Sequence, residues 1–229
     1  MSENLIRIFR DHYYIPLYFL TWVISVIRYR RYFDTPLKFF PILIIYTFFT
    51  ELLGYFIKYN DEFQFFSDAR YSWHNVVIFN IYQLVFFLFF FEVYRKLFDD
   101  QQMKKWIRYL SIICIVAYVI NAMASNPLHS QMTYAHIIGS LMLVFVLFKY
   151  FSVKFKEDHP SSLRFNLMFW ISIGLLIFYI VFPLISIGYK MKLGLHIQVY
   201  YRPALLTSIF LMYGFIIAGL LIGKRKAFR

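Results

Sequence analysis

A single cysteine, Cys114, is the only thiol in the 229 residues, so neither an intramolecular disulfide nor a cysteine-built metal site can be assembled. It falls inside an apolar stretch and reads as a small buried residue. Histidines are scattered singly. His12, His74, His129, His136, His159 and His196 form neither HxxxH nor HExxH, which removes the usual signature of a helical metal hydrolase. A GxSxG nucleophile elbow is also missing, because IGSLM at 138–142 lacks the second glycine. Charge is scarce: 16% of residues are charged and only 12 are acidic, well below the soluble norm. The 8 glycines and 7 prolines form no linker-like run, so residues 1–229 are expected to make one domain.

What the chain has is apolar length. Hydrophobic residues make up 61% of it, gathered into seven stretches near 14–27, 38–57, 75–93, 106–123, 133–151, 165–187 and 204–223. Each approaches the roughly 20 residues that cross about 30 Å of hydrocarbon. The first is the shortest, and Arg28 follows it at once. Seven spans leave little for a soluble domain, and only Ile222 to Arg229 follow Leu221, so a fused output module is not expected. Ahead of the first stretch, Leu5, Ile6, Phe9 and Tyr13 recur at helical spacing with Arg7 and Arg10 between them. That pattern predicts a short interfacial helix, not a cleavable signal.

Positive charge alternates between connections. Arg28, Arg30, Arg31 and Lys38 follow the first stretch, and Arg95, Lys96, Lys104, Lys105 and Arg108 the third. Lys149, Lys154, Lys156 and Arg164 follow the fifth, and Lys224, Arg225, Lys226 and Arg229 the seventh. Together these are seventeen of the 24 Lys and Arg. Lys and Arg stay on the cytoplasmic side during insertion, so the N-terminus is expected outside and the C-terminus inside a bacterial cytoplasmic (inner) membrane. The net charge of +12 is therefore assigned to topology and anionic headgroups, with no nucleic-acid partner expected. The fold class is all-α, a polytopic bundle of seven transmembrane helices.

Along the chain, 58–74 and 188–203 are expected as long outer connections and 94–105 as a polar inner turn. In 152–164, Pro160 should stop one helix while Ser161 and Ser162 cap the next. Pro183 should kink the sixth span or free a carbonyl near its outer end. An internal three-helix repeat of the kind used by small transporters is not evident.

Polar residues inside hydrocarbon are costly, so their placement is informative. By the expected topology the inner halves are nearly featureless, as in FFPILII (39–45) and LVFFLFFF (84–91). The outer halves carry Thr47, Thr50, Glu51 and Tyr55, then Asn80, Tyr82 and Gln83, then Tyr118 and Asn121. His136, Ser140, Tyr179, Arg202, Thr207 and Ser208 continue the series. Glu51 is the sharpest of these, because a carboxylate at that depth must be paired, protonated or facing water. Asn80 and Gln83 share a helix face at i and i+3.

The expected ligand-binding set is Glu51, Asn80, Tyr82, Gln83, Tyr118, Asn121, His136, Tyr179 and Arg202, lining a polar and aromatic pocket that opens outward. Asn80, Gln83 and Asn121 read equally well as interhelical fasteners. Ser172 and Gly174 read as packing, with Gly174 permitting close helix approach. Aromatics form 23% of the chain, and Tyr13, Tyr14, Trp22, Trp73, Trp106, Tyr150, Tyr200 and Tyr201 lie near span ends as interfacial anchors. An aromatic cage for a cation or flat ligand is the alternative where several converge.

TFFTELLGYF (47–56), FNIYQLVFF (79–87) and FWISIGLLIFY (169–179) resemble a group of small bacterial seven-helix integral membrane proteins of unassigned function. The resemblance covers most of the chain, supports the helix count and carries no functional residues across. Retinal-binding seven-helix proteins are unlike it, because no lysine for a Schiff base lies in 204–223.

Three functions fit these features. A receptor-like protein would bind a small molecule or lipid from outside and signal through a separate cytoplasmic partner protein docked on the basic loops. A small transporter would move a lipophilic or aromatic solute. An outer-leaflet lipid-modifying enzyme would use Glu51 and His136 as acid and base. Membrane lipids are partners in all three, no cofactor or metal is expected, and the receptor-like reading fits the one-sided polarity best.

Overall fold

The computed structural model describes residues 12–65, 75–156, 163–191 and 195–224. Among them are seven α-helices: α1 (Tyr14–Ile27), α2 (Phe40–Tyr59), α3 (Val76–Leu97), α4 (Gln101–Ala124), α5 (Thr133–Lys154), α6 (Leu167–Lys190) and α7 (Leu195–Ile222). Six of them, α2 to α7, are long and apolar enough to cross a membrane, as in an integral membrane protein. The helix α1 has 14 residues, about 21 Å of rise, and falls short of a full hydrocarbon core. The interfacial helix expected before residue 12, Asp68 to His74, and the Pro160 stop lie outside the described residues.

Two connections differ from the sequence expectation. Residues 94–105 are mostly helical: α3 runs to Leu97 and α4 begins at Gln101. Asp100 explains the early start, since its carboxylate accepts hydrogen bonds from the Gln102 and Met103 backbone N–H groups at 2.9 and 3.3 Å. The second is 188–203, where α6 extends to Lys190 and α7 begins at Leu195, well before Pro203. Tyr201 packs on Tyr189 with ring centroids 4.7 Å apart and covers Gly188, which holds the early turns of α7 against the end of α6. Pro183 and Pro203 both sit inside helices and donate no backbone hydrogen bond to the carbonyl four residues earlier.

Helix neighbours run α1–α2–α3–α5–α6–α7 and back to α1, while α4 packs against α3 and α5. This makes a closed ring with α4 on its outer flank. Only 22% of the apolar window of α4 is buried, against 50% for α2. Ile112, Ile113, Val116, Val119, Leu141 and Phe148 are exposed, forming an apolar exterior suited to lipid. Phe86, Phe87, Phe90 and Phe91 of α3 form the middle of the core with Leu143, Val146 and Leu147 of α5.

Several contacts bring the basic connections to one end of the ring. Arg31, between α1 and α2, donates from Nη1 to the carbonyls of Leu221 and Gly223 at 3.3 and 2.8 Å, so a cation caps the C-terminus of α7. The Lys224 N–H donates to the Phe165 carbonyl at 2.9 Å, which joins the start of α6 to the same end. At the opposite end, His12 lies 3.3 Å from the Tyr59 hydroxyl, and the Lys190 ammonium sits 4.8 Å above the Tyr134 ring.

Ser172, read from the sequence as a packing residue, ties two helices together. Ser172 donates to the Met168 carbonyl at 2.6 Å, which uses its only proton, so the buried Tyr94 hydroxyl donates to Ser172 at 2.7 Å. Replacing Ser172 with Ala strands the Tyr94 hydroxyl. It is expected to cost about 1 kcal/mol in detergent-phase thermal unfolding, more than Tyr94→Phe with respect to this bond alone. Equal loss of midpoint for S172A and a volume-matched control elsewhere in α6 counts against that reading.

Candidate functional site

The buried positions of α2 include Phe40, Leu43, Ile44, Thr47, Thr50 and Gly54, spaced at three and four residues. Glu51 follows Thr47 by four, so it extends the same stripe one turn further. It stands eight residues before Tyr59, about 12 Å along the axis from that helix end. Among the described residues Glu51 makes no hydrogen bond or ion pair; the described salt bridges are those of Glu92 with Arg95 and Lys96. The Glu51 carboxyl is within electrostatic range of the hydroxyls of Tyr14 and Tyr18 on α1, Tyr82 on α3 and Tyr213 on α7.

A hydroxyl cluster lies beside it. Thr47 donates to the Leu43 carbonyl at 2.9 Å, which occupies its proton, so Tyr82 donates to Thr47 across a 3.0 Å gap. Tyr213 adjoins both Thr47 and Tyr82, and its ring centroid is 4.5 Å from that of Tyr18. Four helices, α1, α2, α3 and α7, thus converge on one acid and its surrounding phenols. Low dielectric strengthens these polar contacts and raises the cost of any group left unpartnered.

Tyr179 on α6 leads to a second, aromatic compartment. Its ring is 5.7 Å from Phe86, 5.3 Å from Phe87 and 6.3 Å from His136. The buried His136 ring stacks on Phe182 at 4.0 Å and 18° and meets the edge of Phe87 at 5.3 Å. Among the described residues neither ring nitrogen of His136 has a hydrogen-bond partner, and the buried hydroxyl of Tyr118 has none either. A groove of about 360 Å³ between α3 and α4 reaches Tyr118 past Val77, Leu84, Ile115 and Val119.

The asparagines do different work. Asn80 donates from Nδ2 to the carbonyls of Pro127 and Ser130 at 2.9 and 3.0 Å, and its Oδ1 accepts from the Met132 N–H at 3.0 Å. Asn121 accepts from the Ala135 N–H at 3.1 Å and donates to the Ser125 hydroxyl at 3.0 Å. Met132, at the start of α5, provides no side-chain cap of its own. The two asparagines therefore cap α5 from neighbouring helices and latch the α4–α5 connection, which spends their hydrogen-bonding capacity on backbone and on Ser125.

Of the sequence-derived set, Glu51 and Tyr82 lie within electrostatic range of each other, and Tyr118, His136 and Tyr179 fall in the aromatic compartment. Gln83 keeps a buried Oε1 without a partner among the described residues. Arg202 is exposed, close enough to Tyr14 for its charge to be felt there. Glu51 and His136 are not paired; aromatic rings surround the imidazole. Sequence reasoning missed Tyr18 and Tyr213. The signal for Tyr213 is its place in the middle of an apolar span, where a phenol needs a polar partner. No cluster of three or more His, Cys, Asp or Glu suited to a metal ion occurs among the described residues.

No known protein family, curated protein or solved structure matches the chain.

Proposed function

We propose that the chain is a receptor-like membrane protein of seven spans, N-terminus outside and C-terminus inside, that binds a small molecule or lipid at the Glu51 cluster. The observation that carries this reading is Glu51 itself: an ionisable group in the bundle, without an ion pair among the described residues, within electrostatic range of phenols from three other helices. Intramembrane acids are retained where they contact a ligand, an ion or a proton path. A ligand amine, amide or hydroxyl would supply the missing partner, with Tyr18, Tyr82 and Tyr213 as further hydrogen-bonding groups. Occupancy would change how α2 packs on α1 and α3, and a separate cytoplasmic partner would read that shift at the basic end. Alternating Lys and Arg support the orientation, which corresponds to a bacterial inner membrane.

A second reading, transport of a lipophilic or aromatic solute, draws on the apolar groove that reaches Tyr118 beside the aromatic compartment. An enzyme using Glu51 with His136 has less support, because the two groups are not paired. Thermal-shift measurements on purified protein with a metabolite and lipid panel separate the remaining readings when combined with proteoliposome uptake. Stabilisation without flux is expected for a receptor, and flux sinks that reading in favour of transport. Glu51→Gln is expected to abolish stabilisation by whichever compound scores while leaving the unliganded midpoint near that of the parent. An unchanged ligand response removes Glu51 from the site.

A further inference from the structure

At the basic end, the first turns of α4 and the last turns of α5 enclose a cavity of about 500 Å³. Its apolar wall is built by Phe98, Met103 and Trp106 on one side and Phe145 and Val153 on the other. Lys149 and Lys156 stand on its rim and are exposed. The lining thus combines apolar side chains with two cations, Lys156 at the end of the bundle and Lys149 about two turns further in. Among the described residues neither lysine makes an ion pair. The Lys149 ammonium lies 5.7 Å from the ring centroid of Phe145, one turn further from the C-terminal end of α5, so its stem runs along apolar surface. Asp100, the acid on the same rim, is occupied at the N-terminus of α4 by two backbone N–H groups.

The cavity continues into a lipid-facing strip. Trp106, Tyr109, Ile113, Val116 and Ile120 recur at three and four residues along α4, and all are exposed. Trp106 stands where indoles mark the boundary between headgroups and chains. An occupant must therefore join an anion at the rim to long apolar chains below it.

We propose that this cavity is a binding site for an anionic phospholipid, with its phosphate between Lys149 and Lys156 and its acyl chains along the α4 strip. The site is separate from the Glu51 cluster and does not depend on what binds there. The alternative occupant, an acidic segment of a partner protein, would use the lysines without the apolar strip.

The test is the thermal midpoint of delipidated full-length protein in neutral detergent, titrated with phosphatidylglycerol, phosphatidylcholine or inorganic phosphate. Each lysine near an anionic headgroup contributes about fivefold in affinity, so phosphatidylglycerol is expected to act at concentrations about 30-fold below phosphatidylcholine. Lys149→Gln and Lys156→Gln are each expected to reduce that preference about fivefold, and the double variant to erase it. Inorganic phosphate is expected to have no effect, since it lacks the chains. Both lysines are exposed, so the single variants keep the core intact, and Trp106→Ala should weaken binding of both lipids together. Equal potency of the two lipids, an effect of phosphate alone, or a preference retained in the double variant overturns the proposal.

Discussion

Replacing Asn80 with Ala is expected to destabilise the protein by about 3 kcal/mol, with the α4–α5 connection loosening before the rest of the bundle. Asn80 is buried and uses both ends of its amide on backbone groups between Pro127 and Met132. Alanine leaves two carbonyls and one N–H to be satisfied by water or not at all. Each unsatisfied group costs on the order of 1–3 kcal/mol where water is excluded. Interhelical side-chain bonds in membranes average less than this, but their partners can usually re-pair. The partners here lie in an irregular connection and have no helical alternative. Asn80→Asp should be at least as damaging, since it keeps the acceptor for Met132, loses both donors and adds a charge. Hydrogen exchange at 126–132 and the thermal midpoint together read the effect. Normal protection in that segment for N80A would sink the latch.

The second large effect is expected at Gly174, where alanine should cost about 2–3 kcal/mol. A Cβ built there falls 2.7 Å from the Met212 carbonyl oxygen and 3.1 Å from the Met212 Cα. Those atoms are backbone, so the clash is relieved only by moving α6 away from α7, along a tightly packed seam. Gly214 supplies the control. It lies on α7, and a Cβ there meets nothing within 4 Å. Gly214→Ala should be neutral or stabilising by up to about 1 kcal/mol, through helix propensity and a less flexible unfolded chain. Opposite signs for one chemical change on two packed helices are the outcome to look for in paired thermal melts. Similar midpoints for the two variants would mean that the seam yields.

The helices were legible because apolar length and alternating charge are written along the chain. The stretch at 14–27 reappears as Tyr14–Ile27, and 38–57 and 133–151 agree with α2 and α5 to within a few residues. Two helix starts differ from the sequence expectation. Pro203 looks like the first turn of a helix, a position proline favours, and only the packing of Tyr201 on Tyr189 shows that α7 begins earlier. The Asp100 cap was readable in principle, since an aspartate before a helical run is a start signal. It was masked by the polarity of residues 99–105.

The candidate site divides along the same line. Glu51, Asn80, Asn121 and His136 stand out in sequence because a polar side chain in an apolar stretch is expensive wherever the helix turns. The chain itself therefore determined where the apolar helices lie, which connections are rich in Lys and Arg, and the handful of polar residues that need partners. Tertiary structure decided who those partners are. It gave Asn80 and Asn121 to the start of α5, surrounded His136 with aromatic rings, and put Glu51 within electrostatic range of tyrosines from α1, α3 and α7. The physical reason is that hydropathy and charge compare each segment with its solvent, which is a local property. Partner choice depends on the rotation and neighbours of each helix, and those emerge only when the ring closes.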